Sequence, residues 1–208
     1  MKKPIKYIIG VVAVLLVLLF SFKIEKLDEF KAAKTETAFN ASDYAQDVWE
    51  NKMPVVANDA PDLVALIELI ETNKELAFAE YGKKLGISST WYIMAKGEGV
   101  VEKVEEESLV VSLGDDKQIQ LATSFIFGNA VRDASGIVSI DDFVNMTDFN
   151  NVSVALNKLV KEDVAAELRE SAQLGMTLEF AGAFEINEEN TDVNSIRVIP
   201  VAVKISNE

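Results

Sequence analysis

The 208-residue chain contains neither cysteine nor histidine. Without cysteine there is no disulfide, no thiol nucleophile and no thioether to carry a lipid. Without either residue, the usual zinc sites and Ser-His-Asp triads are excluded as well. Positive charge is also scarce, with 20 Lys and Arg against 34 Asp and Glu. Three of those lysines fall in the first 22 residues, so the remainder has 17 basic against 34 acidic side chains, a net −17. A surface of that sign repels phosphate backbones and argues against a nucleic-acid partner. Apolar residues make up 49% and charged residues 26%, which supplies a packed core and excludes wholesale disorder. No D-x-[DN]-x-[DN]-G calcium loop is present, and no metal or cofactor is expected.

The chain does contain one long apolar run. Residues 1–6 read MKKPIK and are followed by YIIGVVAVLLVLLFSF, uncharged from Tyr7 to Phe22. With Ile5 the run approaches the ~20 residues that span a hydrocarbon core. Lys2, Lys3 and Lys6 mark the cytoplasmic side. The exit, Leu19-Phe20-Ser21-Phe22-Lys23, has no small-residue cleavage pattern, and no cysteine follows it to take a lipid. The expectation is therefore a signal anchor over residues 1–22, meeting the membrane through residues 5–22, with a juxtamembrane segment over 23–40. The N-terminus would lie inside a cytoplasmic (inner) membrane, and one domain of about 170 residues would lie on the periplasmic side.

That domain divides by pattern. Residues 41–87 predict a helical segment: Ser42 as a cap, Pro54 as a stop, Pro61 near the next helix start, then Leu63, Leu66, Ile67 and Ile70 at helical spacing. Residues 88–208 predict strands over Trp91–Val104, with Gly97 and Gly99 permitting a bulge or bend, and over Leu109–Leu113 and Ile119–Phe127. Gly114-Asp115-Asp116 is the hairpin turn between the second and third. An irregular stretch, Gly128–Asp142, precedes a helix over Phe143–Leu174. Strands at Met176–Ile186 and Ser195–Ile205 complete the pattern. Three strands, a helix and two strands is the succession of an OB-like five-stranded barrel with its helix between strands three and four. The expected class is α+β, comprising a transmembrane helix, a helical segment and that barrel.

The densest polar grouping runs from Gly128 through Arg132, Asp133 and Gly136 to Asp142 and Asn145. Arg132 offers a planar donor fork suited to a carboxylate or another anion, and Asp133, Asp142 and Asn145 can complete a network around it. Two readings follow: a ligand or partner site at the barrel mouth, or an internal brace in which Arg132 pairs with an adjacent acid. Asp142 is also placed to cap the following helix. Adjacent acids such as Asp141 and Asp142 diverge on either a strand or a helix, which disfavours the paired carboxylates of a glycan hydrolase. Trp49 and Trp91 read as core anchors.

The same stretch resembles a bacterial family of predicted periplasmic lipoproteins, domain of unknown function 2291, whose pattern runs G-T-A-L-R-D-A, G-F-I-x-F, D-F-x-N-Q and A-L-N. The corresponding residues are Gly128-Asn129-Ala130-Val131-Arg132-Asp133-Ala134, Gly136-Ile137-Val138-Ser139-Ile140, Asp142-Phe143-Val144-Asn145-Met146 and Ala155-Leu156-Asn157. Lys96-Gly97-Glu98-Gly99-Val100, Gly182-Ala183-Phe184 and Pro200-Val201 extend the likeness over most of the domain. Asn129 stands for a threonine, Met146 for a glutamine, and the lipid-bearing cysteine is absent. The resemblance adds Asn157 to the candidate binding residues. It implies an accessory role beside sugar ABC transporters and supplies no biochemical activity. The expected function is a non-enzymatic envelope module that contacts a transporter component, another envelope protein or a small solute. The alternatives are a carboxylate-dependent glycan hydrolase and a purely structural spacer.

Overall fold

The structure, a computed structural model, describes residues 39–206. The first helix, α1 (Ala41–Asp47), is capped two residues earlier than the sequence suggests: the Asn40 side-chain oxygen accepts from the backbone N–H groups of Ser42 and Asp43 at 3.0 and 3.3 Å. Pro54 does not stop the chain. A π-helical turn, Val48–Lys52, closes on Met53 N–H donating to the Val48 carbonyl, and α2 (Met53–Asp59) then takes Pro54 in its first turn. Proline is tolerated in a first helical turn because its fixed φ suits the helix there.

The next helix, α3 (Leu63–Tyr81), starts at Asp62, whose carboxylate accepts from Ala65 N–H at 3.0 Å. Pro61 lies just outside and accepts from Lys96 N–H, pinning the helix start to the sheet. Asn73 leaves helical geometry and re-caps the chain by accepting from Leu76 N–H.

Five strands follow: β1 (Thr90–Val104), β2 (Ser108–Gly114), β3 (Lys117–Ala122), β4 (Thr177–Asn187) and β5 (Arg197–Ser206). They close in the order β1-β2-β3-β5-β4. All pairs are antiparallel except a two-residue parallel contact, Gln120 with Arg197 and Leu121 with Val198. That order is the OB barrel's. The 15-residue β1 serves two partners, β4 along Thr90–Val100 and β2 along Val100–Val104, and turns the corner past Gly97 and Gly99. Asp115 and Asp116 take positive φ values in the β2–β3 turn, at the place the sequence predicts.

Between β3 and β4 lie α4 (Ala130–Ser135), a short 3₁₀ turn (Ile140–Asp142), and α5 (Met146–Leu159). A second π-helical turn (Val160–Ala165) then leads into α6 (Ala166–Ser171). The expected third strand was too long. After Ala122 the N–H groups of Thr123 and Ser124 both turn to the Glu107 carbonyl, at 2.9 and 3.0 Å, and the chain leaves the sheet. The stretch expected to be irregular contains α4. The two π turns are joined by Trp49, whose indole N–H donates to Asp163 at 2.8 Å.

Strand alternation divides the core in two. Ile93, Ala95, Leu178, Phe180 and Val198 fill the barrel, which α3 seals with Leu63, Leu66, Ile67 and Ile70. Met94, Ala181, Ala183, Ile199 and Val201 face outward beneath α1, α2, α4 and α5.

The expected class needs one correction. Among the described residues no helix is long and apolar enough to cross a membrane. The longest, α3, carries Glu68, Glu71, Lys74, Glu75 and Glu80 within its 19 residues. The architecture is an α+β OB-like barrel with helices and no transmembrane helix among those residues. The anchor and membrane contact expected over residues 1–22 lie outside them.

Two outcomes follow. Gly182 sits where the β4–β5 register shifts past Val201 of β5, and an added Cβ would come within 2.5 Å of Val198 Cγ1 and 2.6 Å of the Ile199 carbonyl. Gly182→Ala should lower the unfolding free energy by about 1–3 kcal/mol in a urea titration. Glu188 accepts from the Trp91 indole at 2.6 Å and from Lys84 at 3.1 Å, and these partners hold its carboxyl below the usual range. A depressed carboxyl stabilises the fold above its ordinary pKa and loses that effect as pH falls through the folded value. The Glu188→Gln protein should therefore melt below the wild type at neutral pH, with the gap closing as pH falls below the ordinary carboxylate range in thermal scans.

Candidate functional site

Arg132 is almost fully buried, at 1% exposure. Its Nε donates to Asp133 Oδ1 at 2.7 Å and Nη2 to Asp133 Oδ2 at 3.2 Å, a bidentate pair within α4. Nη1 reaches α5, donating to the Phe149 carbonyl and to Asn150 Oδ1, both at 3.2 Å. The guanidinium carbon lies 3.6 Å from the Phe149 ring centroid. Five donors in a flat fork suit this arrangement, because one face stacks while the edge serves two helices.

The other residues singled out from the sequence are distributed around this pair. Asn157 donates to the Gly128 carbonyl at 2.9 Å, holding the loop before α4. Asn145 caps α5 by accepting from Asp148 N–H at 2.9 Å. Asp142 and Ser139 form the reciprocal capping box of the 3₁₀ turn. The fold thus joins Arg132 to Asp133 and leaves Asp142 and Asn145 at separate helix starts.

The loop that Asn157 holds has an unusual display. Phe125 takes φ +50°, a left-handed conformation that costs about 1–3 kcal/mol for a side chain of this size. Ile126 is fully buried, while Phe125 and Phe127 on either side are 60% and 71% exposed. Leaving a phenylalanine in water forgoes about 1.5–3 kcal/mol of burial. Arg197, at the start of β5, holds the bend by donating from Nη2 to the Ser124 and Phe125 carbonyls at 2.7 and 3.4 Å.

The two rings border a concavity of about 440 Å³, with Ala130, Phe184 and Ile199 as apolar lining and Glu107, Glu185 and Arg197 as charged lining. Tyr92 pairs with Glu185 across the β1–β4 ladder. Burial pushes its phenol above the ordinary range, and the charges of Glu185 and Asp133 push it further.

A larger open trough, about 540 Å³, runs between α2 and the outer face of β1, β4 and β5. Several of its charges are already engaged: Lys204 with Glu179 at 2.8 Å, Lys96 with the Asn58 carbonyl, and Asp62 with the start of α3. The aromatic concavity is bordered by two exposed phenylalanines on a strained loop, and its Glu107 and Glu185 have no side-chain hydrogen bond or ion pair among the described residues. It is the better candidate site. The sequence marks it only faintly: Phe125-Ile126-Phe127 is an apolar run of strand-like composition, and the signal that the strand has ended is the flanking Ser124 and Gly128.

Residues 12–204 match the family model of domain of unknown function 2291, described as a predicted periplasmic lipoprotein. The chain belongs to this family. The DUF2291 domain also resembles the crystal structure of an OB-fold protein from Thermotoga maritima. The two are 25% identical, with a TM-score of 0.73 over 82% of this chain and 100% of that one. No curated protein matches the chain. The family description makes this DUF2291 member an extracytoplasmic protein of the cell envelope, and the structural likeness establishes the OB-like barrel.

Arg132→Ala would strand Asp133 and leave the Phe149 carbonyl and Asn150 without their donor. The expected loss is about 3–5 kcal/mol of unfolding free energy, read by chemical denaturation. Arg132→Lys should recover little of it, since an ammonium cannot serve two helices from one plane.

Proposed function

We propose that this DUF2291 domain is a non-enzymatic accessory module that docks onto a protein partner in the cell envelope through the Phe125–Phe127 concavity. The observation that carries this reading is the display itself. A loop accepts an unfavourable backbone angle and leaves two phenylalanines in water, with a fully buried isoleucine between them as its anchor. Exposed aromatic groups around a concavity are what a partner's surface can bury on association, and aromatic residues are prominent among binding hot spots.

The non-enzymatic part of the reading is supported by the chain's chemistry. It has no histidine and no cysteine. The acids of the central polar grouping, Asp133 and Asp142, are engaged by Arg132 and by a capping box. The family resemblance points to a component of a sugar ABC-transport system as the partner, and a solute would then act through that component.

The test is photocross-linking in cells. A benzophenone amino acid at Phe127 should give a discrete adduct containing a transporter component. The same group at Ile87, fully exposed on another surface, should give none. Replacing Phe125 and Phe127 together by serine should cut co-purification of that partner by more than about tenfold, since each buried ring contributes of the order of a kilocalorie or more. Identical adducts at both positions, or undiminished co-purification by the double variant, would remove this function.

A further inference from the structure

The concavity also carries information about what enters it. Glu107 and Glu185 face it without a side-chain hydrogen bond or ion pair among the described residues. Arg197 is the single cation in the lining, and one of its terminal nitrogens is held by the Ser124 and Phe125 carbonyls. The formal charge of the lining is therefore negative, on a chain whose own net charge is −14. From the charge and shape of this lining we infer that the site receives a basic side chain, arginine or lysine, projecting from the partner. This rests on the docking function proposed above and specifies the chemistry of the group that docks.

Three ligand classes can be compared. An anionic group would be repelled by two exposed carboxylates that no cation neutralises. A purely apolar group would satisfy the rings but offer Glu107 and Glu185 no counter-charge. A long basic side chain meets both demands. Its methylene stem lies against Phe125, Phe127 and Ile199, and its charged head reaches the carboxylates, with the ring faces adding cation–π attraction. The volume, about 440 Å³, is ample for one such side chain. Long-range attraction between an acidic domain and a basic surface favours the same encounter.

The experiment uses the full chain labelled with 4-fluorophenylalanine. The Phe125 and Phe127 resonances are assigned through Phe125→Leu and Phe127→Leu, and the protein is titrated with N-acetylarginine amide, N-acetylleucine amide and N-acetylglutamate amide. Saturable shifts of both resonances are expected with the arginine probe, with at least fivefold weaker binding of the other two. A Glu107→Gln/Glu185→Gln variant should bind the arginine probe at least tenfold more weakly while keeping the wild-type melting curve. Equal or stronger response to the leucine or glutamate probe overturns the inference. So does unchanged affinity in the glutamine variant, or no response to the arginine probe at about 50 mM, the weak end of single-group binding.

The two proposals fail separately. If the serine double variant loses the cellular partner but the glutamine variant retains it, docking stands and the basic group falls. If both retain the partner, docking itself falls.

Discussion

The guanidinium of Arg132 is the contact on which the placing of α4 and the loop before it depends. It ties a six-residue helix, too short to hold itself in water, to the long helix that follows. A buried cation is tolerated here because every direction is answered: a carboxylate on the edge, a carbonyl and an amide beyond, and an aromatic ring below. With α4 fixed, the loop before it has both ends defined, one by Asn157 at Gly128 and the other by Arg197 at Ser124. The residues that looked most like a binding site in the sequence are therefore the frame around a different surface.

That surface is formed by constraint. The loop leaves β3 because two of its amides prefer the Glu107 carbonyl to the sheet. It then places Ile126 in the core and its neighbours in water. An OB barrel closed by only two parallel residue pairs between β3 and β5 has a natural seam there, and the loop emerges beside it. Function is carried on segments of this kind, held by a rigid scaffold but not part of it. The family and the structural relative establish the scaffold and the side of the membrane.

How far the sequence could be read depended on the range of the interaction involved. Strand alternation and the glycine-aspartate turn are local, so the barrel's order of elements was legible from residues 88–208. Closure was inferred from that order, since pairing between β3 and β5 joins residues over seventy positions apart. Pro54 misled because a π turn upstream moved it into a first helical turn, and nothing in the local pattern announces such a turn. Arg132 was recognised as important, and its local partner Asp133 was named. Its distant partners Phe149 and Asn150 were not, because helix α4 was read as a loop. Phe125 and Phe127 were absorbed into a strand: composition alone cannot distinguish an aromatic residue inside a sheet from one displayed beyond its end.

The paired π turns have a consequence for how this architecture varies. Each amounts to one residue inserted into a helix, and removing that residue rotates everything beyond it by about 100°. Trp49 and Asp163 meet across the gap only while both insertions are present. A relative that lost one would swing its half of the contact out of line, so gain or loss of the two single residues should be inherited together.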